Sequence, residues 1–211
     1  MEQAYLINIL LVIGAYLLGS ISNAVWIGKT FYGIDPRTQG SKNAGATNAV
    51  RVLGAKAGGA VFLLDALKGV AAVMLAHLSS YTPATPAYYN LQMVLALTAV
   101  LGHMWPIFAG FKGGKGVATF AGSLCAITPL PIVILLVVFT IVFITTRYVS
   151  VGSLTVAVLL PIVTRFVCGV EYLPITLFYC LVTLIIVFTH RKNIGRLIAG
   201  TENRFTFKKK K

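Results

Sequence analysis

Donor side chains crowd among small residues in the segment Gly40-Ser41-Lys42-Asn43-Ala44-Gly45-Ala46-Thr47-Asn48-Ala49-Val50-Arg51. That mixture suits phosphate oxygens, because glycines let backbone N–H groups come close while hydroxyl, amide and guanidinium groups add further donors. A helix beginning near Gly45 would set Asn48 and Arg51 on one face at i, i+3, just inside the positive end of its dipole. The candidate phosphate ligands are Gly40, Ser41, Asn43, Gly45, Thr47, Asn48 and Arg51. A second segment reads Gly102-His103-Met104-Trp105-Pro106 and then Phe111-Lys112-Gly113-Gly114-Lys115-Gly116-Val117-Ala118-Thr119. Gly113, Gly114, Lys115 and Gly116 stand directly before a helix start, the place for a second anion cradle. It is not a Walker P-loop, since Ala109 replaces the first glycine and Gly116 the metal-binding Ser or Thr.

The third segment is His190-Arg191-Lys192-Asn193-Ile194-Gly195-Arg196, running on to Gly200, Glu202 and Arg204. On a helix leaving the last apolar run, His190, Asn193 and Arg196 follow at three-residue steps and can face one pocket, with Gly200 suited to the helix end. A neutral imidazole beside an amide and a guanidinium fits the orienting of a hydroxyl next to a phosphate. Arg147, Ser150 and Ser153 would extend this donor set. The chain holds two Asp and three Glu, with no acidic pair at metal-ligand spacing, so two-metal phosphoryl transfer is not expected and no metal or cofactor is called for. None of His77, His103 and His190 has an Asp five residues on, and no Gly-x-Ser-x-Gly elbow occurs.

The elements that must position these groups are written in lipid-compatible sequence. Of 211 residues 57% are apolar and 11% charged, yet 18 Lys and Arg stand against 5 Asp and Glu, a net charge of +13. A nucleic-acid module does not devote most of its length to such apolar runs, so the charge reads as membrane topology. Spans are expected at 5–27, 57–78, 89–111, 117–129, 130–146, 149–167 and 172–189. The division of 117–146 rests on Thr128-Pro129-Leu130-Pro131, where two prolines remove two backbone donors. Threading seven spans puts 16 of the 18 basic residues on one face, with Lys68 inside a span and Arg165 opposite. The positive-inside rule makes that face cytoplasmic, the N-terminus outside and the C-terminus inside. Met1-Glu2-Gln3 lacks the basic start of a signal peptide, so the first run is expected to stay as a span. Lys208 to Lys211 read as an anchor on anionic lipid. Asp65 and Lys68, at i, i+3 within the second span, read as an intramembrane ion pair, and Cys125, Cys168 and Cys180 as small hydrophobes. The expected fold is an all-α integral membrane protein, a seven-transmembrane helix bundle forming one domain over 1–211.

The three segments, in this order, resemble the bacterial acyl-phosphate:glycerol-3-phosphate acyltransferase family, PlsY. The motifs that carry the resemblance are Gly40 to Asn48 with Arg51, Gly113 to Thr119, and His190 to Ile194 with Arg196, Leu197, Gly200 and Glu202, with Asp65 to Gly69 as a second-span signature. Lys42 stands where the family more often has Gly, and Ala44 where Pro is common. The resemblance implies transfer of a fatty acyl group from acyl phosphate to the 1-hydroxyl of sn-glycerol 3-phosphate, without cofactor or metal. It implies His190, Asn193, Lys115 and Ser41 as catalytic residues in a multi-pass protein of the bacterial cytoplasmic (inner) membrane, fed by an upstream acyl-phosphate-forming enzyme. A transporter for a phosphorylated metabolite is the competing reading, but its binding groups belong near the bilayer midplane rather than at one rim.

Overall fold

The computed structural model describes residues 2–205, so the Lys208 to Lys211 anchor lies outside the described residues. Among them the chain is helical, with no strand: α1 (Glu2–Gly19), α2 (Asn23–Tyr32), α3 (Ala46–Leu53), α4 (Ala55–Met74), α5 (Pro86–Met104), α6 (Val117–Ile127), α7 (Pro129–Thr146), α8 (Val149–Ile162), α9 (Leu173–Thr189) and α10 (Arg191–Ile198). It divides into two compact units, 1–129 and 130–211.

In the first unit α4 is the pillar, packed by α6, α3, α5 and α1. Lipid tails are as apolar as leucine, so helices here gain by close approach of small residues rather than by escape from water. A Cβ on Gly122 would strike the Ala66 carbonyl, and one on Gly69 the Thr119 carbonyl, so α4 and α6 meet backbone to backbone. Gly19 and Gly102 play the same part between α1 and α5, lying against the Ala99 and Tyr16 carbonyls. Leu11, Ala15, Ala72, Ala76, Tyr88 and Leu95 fill one core region of this unit.

Five stretches are long and apolar enough to cross a membrane among the described residues: Glu2–Gly19, Ala55–Leu78, Pro86–Ala109, Pro129–Thr146 and Val149–Val167. The pair Leu173–Thr189 and Arg191–Ile198, bent by 59°, brings the number to six when the two are counted together as one span. The expected run 5–27 is two helices, interrupted between Gly19 and Asn23. A Gly-Ser step is a common site of such breaks, and here Lys68 Nζ donates to the Ile21 carbonyl at 2.6 Å, supplying a partner that the interrupted helix does not. The expected division of 117–146 is present: α6 stops at Ile127 and α7 starts on Pro129, with Pro131 still in its first turn, where missing N–H groups cost nothing. α6 has 11 residues, a rise of only about 17 Å at 1.5 Å per residue.

In the second unit α8 packs on α9. Pro161 lies inside α8 and has no N–H for the Ala157 carbonyl, and Thr183 Oγ1 of α9 donates to that carbonyl at 2.6 Å instead. The helix then widens into a π turn over Val163–Val167.

Candidate functional site

In the first unit the chain leaves α2 through Gly33 (φ 63°) and is pinned at once by Asp35. The Asp35 carboxylate accepts the Arg37 backbone N–H at 3.0 Å, Arg37 Nε at 3.0 Å and Arg37 Nη2 at 2.8 Å. Hydrogen bonding from Arg37 lowers the Asp35 pKa to about 2 against the cost of burial, and raises that of Arg37 in return. The guanidinium then reaches the second polar segment, with Nη1 donating to the carbonyls of Ala109 at 2.6 Å and Lys112 at 3.2 Å. Arg37 therefore ties the first cradle segment to the second. No spacing rule in the sequence joins residue 37 to residue 109.

The Gly40 to Arg51 segment is shaped by Asn48. Its side chain, 1% exposed, accepts the Ser41 N–H at 2.8 Å and donates to the carbonyls of Pro36 at 2.7 Å and Gln39 at 3.2 Å. Asn48 and Arg51 do lie three residues apart on α3, but Asn48 is directed inward to the loop, whereas Arg51 is exposed. Gly40 is required twice over: its φ is +60°, and a Cβ would collide with Asn48 Oδ1. Lys42 takes φ +57°, a conformation that glycine accepts without strain. Gly45 is the N-cap of α3 and brings no side-chain cap; Ser41 is exposed, and Asn43 and Thr47 are half-buried around it.

In the second segment the glycine amides behave differently from the expected cradle. The Gly113 N–H donates to the Met104 carbonyl at 3.2 Å and the Gly114 N–H to the His103 carbonyl at 3.1 Å. These two residues thus satisfy the C-terminal carbonyls of α5 and fold the loop back on that helix, rather than offering their N–H groups to an anion. Lys115 follows, half-buried, and Gly116 (φ +80°) is the N-cap of α6, again without a side-chain cap. Behind the loop lies the intramembrane charge cluster. Asp65, 1% exposed, accepts Asn23 Nδ2 at 2.9 Å and lies 3.1 Å from Lys68 Nζ and 3.7 Å from His103 Nδ1.

In the second unit His190 forms the bend between α9 and α10 and is 3% exposed. Its Nδ1 lies 2.8 Å from the Ile186 carbonyl. A carbonyl can only accept, so that contact assigns the proton to Nδ1 and makes Nε2 the basic nitrogen. Asn193 and Arg196 meet as their spacing suggests, but on a third group: Glu202 Oε1 accepts Asn193 Nδ2 at 2.6 Å and Ser150 Oγ at 2.8 Å, and Oε2 accepts Arg196 Nε at 2.7 Å. Burial pushes the Glu202 carboxyl up, but the bonds from Asn193, Arg196 and Ser150 with the Arg196 charge outweigh it, and its pKa lies below the usual range. Gly200 (φ +68°) turns the chain so that Glu202 can return. Ser153 is buried one turn along α8 from Ser150, and Arg147 (φ +64°) ends α7, its carbonyl accepting the Phe205 N–H at 2.8 Å. Glu202 was visible in the sequence only as part of a motif. Among the described residues no three His, Cys, Asp or Glu side chains gather as a metal site would require.

Residues 9–200 match the family described as glycerol-3-phosphate acyltransferase. A protein of that name from Fusobacterium nucleatum subsp. nucleatum is 44% identical over 192 residues, 91% of this chain and 95% of the relative. The chain belongs to the glycerol-3-phosphate acyltransferase family. Another member, from Bacillus cereus, is 45% identical over 204 residues, 95% of this chain and 96% of its own. The crystal structure of the family member PlsY, an integral membrane glycerol 3-phosphate acyltransferase, in its glycerol 3-phosphate form, is 40% identical with a TM-score of 0.84, covering 94% of this chain and 96% of that one. Its lysophosphatidic acid form gives a TM-score of 0.82 at 39% identity, covering 94% and 95%.

Proposed function

We propose that the protein transfers a fatty acyl group from acyl phosphate to the 1-hydroxyl of sn-glycerol 3-phosphate, giving lysophosphatidic acid and inorganic phosphate. The observation that carries this reading is the likeness, over nearly the whole chain, to a crystal structure with glycerol 3-phosphate and to one with lysophosphatidic acid. In the step itself the acyl carbon–oxygen bond to phosphate breaks as the bond to the glycerol oxygen forms. The hydroxyl proton passes to His190 Nε2 or to a substrate phosphate, and phosphate leaves. The donor is already activated, so neither ATP nor a covalent enzyme intermediate is required.

Lys115, Arg51 and the Ser41/Asn43 loop hold phosphate groups and offset the charge that develops on the leaving phosphate. Gly40, Gly45, Thr47 and Asn48 shape or line that loop, and Gly113, Gly114 and Gly116 do the same for Lys115. His190 and Asn193 orient the attacking hydroxyl, with Arg196, Arg147, Ser150 and Ser153 supporting them. The Nδ1 contact to Ile186 supports this role for His190, because it presents the imidazole in the tautomer whose other nitrogen accepts. The whole chain, 1–211, serves this one reaction through seven spans, with the N-terminus outside and the three polar segments facing the cytoplasm. Its place is the bacterial inner membrane, supplied by an enzyme that makes acyl phosphate.

The donor is tested by giving purified protein glycerol 3-phosphate with palmitoyl phosphate or with palmitoyl-CoA and following lysophosphatidate. Product with palmitoyl phosphate alone is expected; product with palmitoyl-CoA alone would keep the acceptor and discard the donor.

A further inference from the structure

His103 is buried at the end of α5, 6% exposed, and the proposed chemistry does not use it. Three contacts place it between the membrane-embedded charge cluster and the loop that carries Lys115. Its carbonyl accepts the Gly114 N–H at 3.1 Å. The edge of its ring lies so close to Gly114 that a Cβ there would collide with Nε2 and come within 3.0 Å of Cε1. Its Nδ1, with no hydrogen-bond partner among the described residues, faces Asp65 Oδ1 at 3.7 Å. Asp65 is itself fixed by Asn23 and Lys68, and Lys68 by the Ile21 carbonyl at the break after α1. A row of polar neighbours therefore runs from that break through Lys68 and Asp65, across 3.7 Å to the His103 ring, and through the His103 carbonyl to Gly114, one residue before Lys115.

We propose that His103 is a positioning residue for Lys115, its ring a backstop that fixes the Gly113–Gly114 backbone and so sets where the ammonium stands for a substrate phosphate. The phosphate role of Lys115 rests on the acyltransferase reading; the loop contact does not. In a merely space-filling role, the changes at 103 and 114 would couple in thermal stability but leave the KM for the phosphorylated substrates alone. As a backstop, they are coupled in the KM as well. Gly114→Ala drives the loop off the ring, while His103→Ala removes the wall and loosens the loop, so adding the second change to the first relieves the collision.

The test is a double-mutant cycle in purified, folded protein, with thermal midpoints recorded for each variant. Each single change is expected to raise the KM for glycerol 3-phosphate or acyl phosphate about ten-fold with a smaller effect on kcat, and the double variant to lie well below the product of the two effects. His103→Gln, which keeps bulk and a donor, should stay within about three-fold of wild type. Without any substrate, amide exchange at Gly113 and Gly114 should rise about ten-fold in His103→Ala while Gly40 to Gly45 is unchanged. Multiplicative kinetic effects, or unchanged exchange at the loop, would overturn the proposal. Wild type without acyl transfer would instead refute the acyltransferase reading and leave the exchange result standing.

Discussion

At the scale of single residues, the side chains proposed for the chemistry are held by neighbours that the proposed chemistry does not itself need. His190 is the clearest case, because the Ile186 carbonyl fixes its proton on Nδ1 and leaves Nε2 basic. Replacement by Ala should lower kcat about 10²–10⁴-fold, the range a positioned base contributes; turnover within a few-fold of wild type would remove it as the essential base. Glu202 is the second case. Its carboxylate gathers Ser150 of α8 with Asn193 and Arg196 of α10, and Glu202→Ala would take the buried acceptor away from Ser150 Oγ and Asn193 Nδ2. A loss of about 3 kcal/mol is expected, discounted for the partly exposed Arg196, which can rehydrate. Glu202→Gln keeps an acceptor and should lose less, as ranked by thermal unfolding in detergent. Asp35 and Glu202 both have lowered pKa values in the folded state, so each stabilises the protein above the ordinary carboxylate range. That contribution disappears as pH falls through the folded values, near 2 for Asp35. The three-residue spacing of Asn193 and Arg196 was legible and Ser150 was expected beside them, but the carboxylate on which they meet was not, and no spacing marked Asp35 as the partner of Arg37.

At the scale of elements, what could be read beforehand was what local chemistry decides. The division before Pro129 follows from two prolines, and the helix starts after Gly45 and Gly116 follow from glycine at the cap. The interruption after Gly19 was not legible, because the apolar run continues through Ile27 and the freed Ile21 carbonyl is satisfied by Lys68 of another helix. The same limit hid the role of Gly113 and Gly114, whose amides bond back to α5. Close helix contact gives its own prediction. Gly122→Ala would push a methyl group into the Ala66 backbone and part α6 from α4, a change expected to cost about 1–3 kcal/mol of thermal stability. Gly59, where a Cβ meets nothing within 4 Å, is the control that should tolerate Ala. Equal behaviour of the two variants would refute the glycine seam.

At the scale of the whole molecule, composition alone shows a membrane protein, while the proposed cytoplasmic placing of the three basic polar segments depends on a count of seven spans. The five stretches of spanning length, with a bent sixth, leave 117–127 as the segment on which the count of seven depends. Single cysteines at 82, 112, 171 and 192, in protein with Cys125, Cys168 and Cys180 replaced by Ala, should react with an impermeant thiol reagent at 82 and 171 from outside intact cells. Positions 112 and 192 should react only in inverted vesicles. Labelling of 112 and 171 from the same side would refute seven spans. The most direct measurement is inorganic phosphate release by purified protein given palmitoyl phosphate, with and without glycerol 3-phosphate. Phosphate is expected only when both are present, in equal amount to lysophosphatidate. Phosphate released without the acceptor, or neither product from folded protein, would contradict direct acyl transfer.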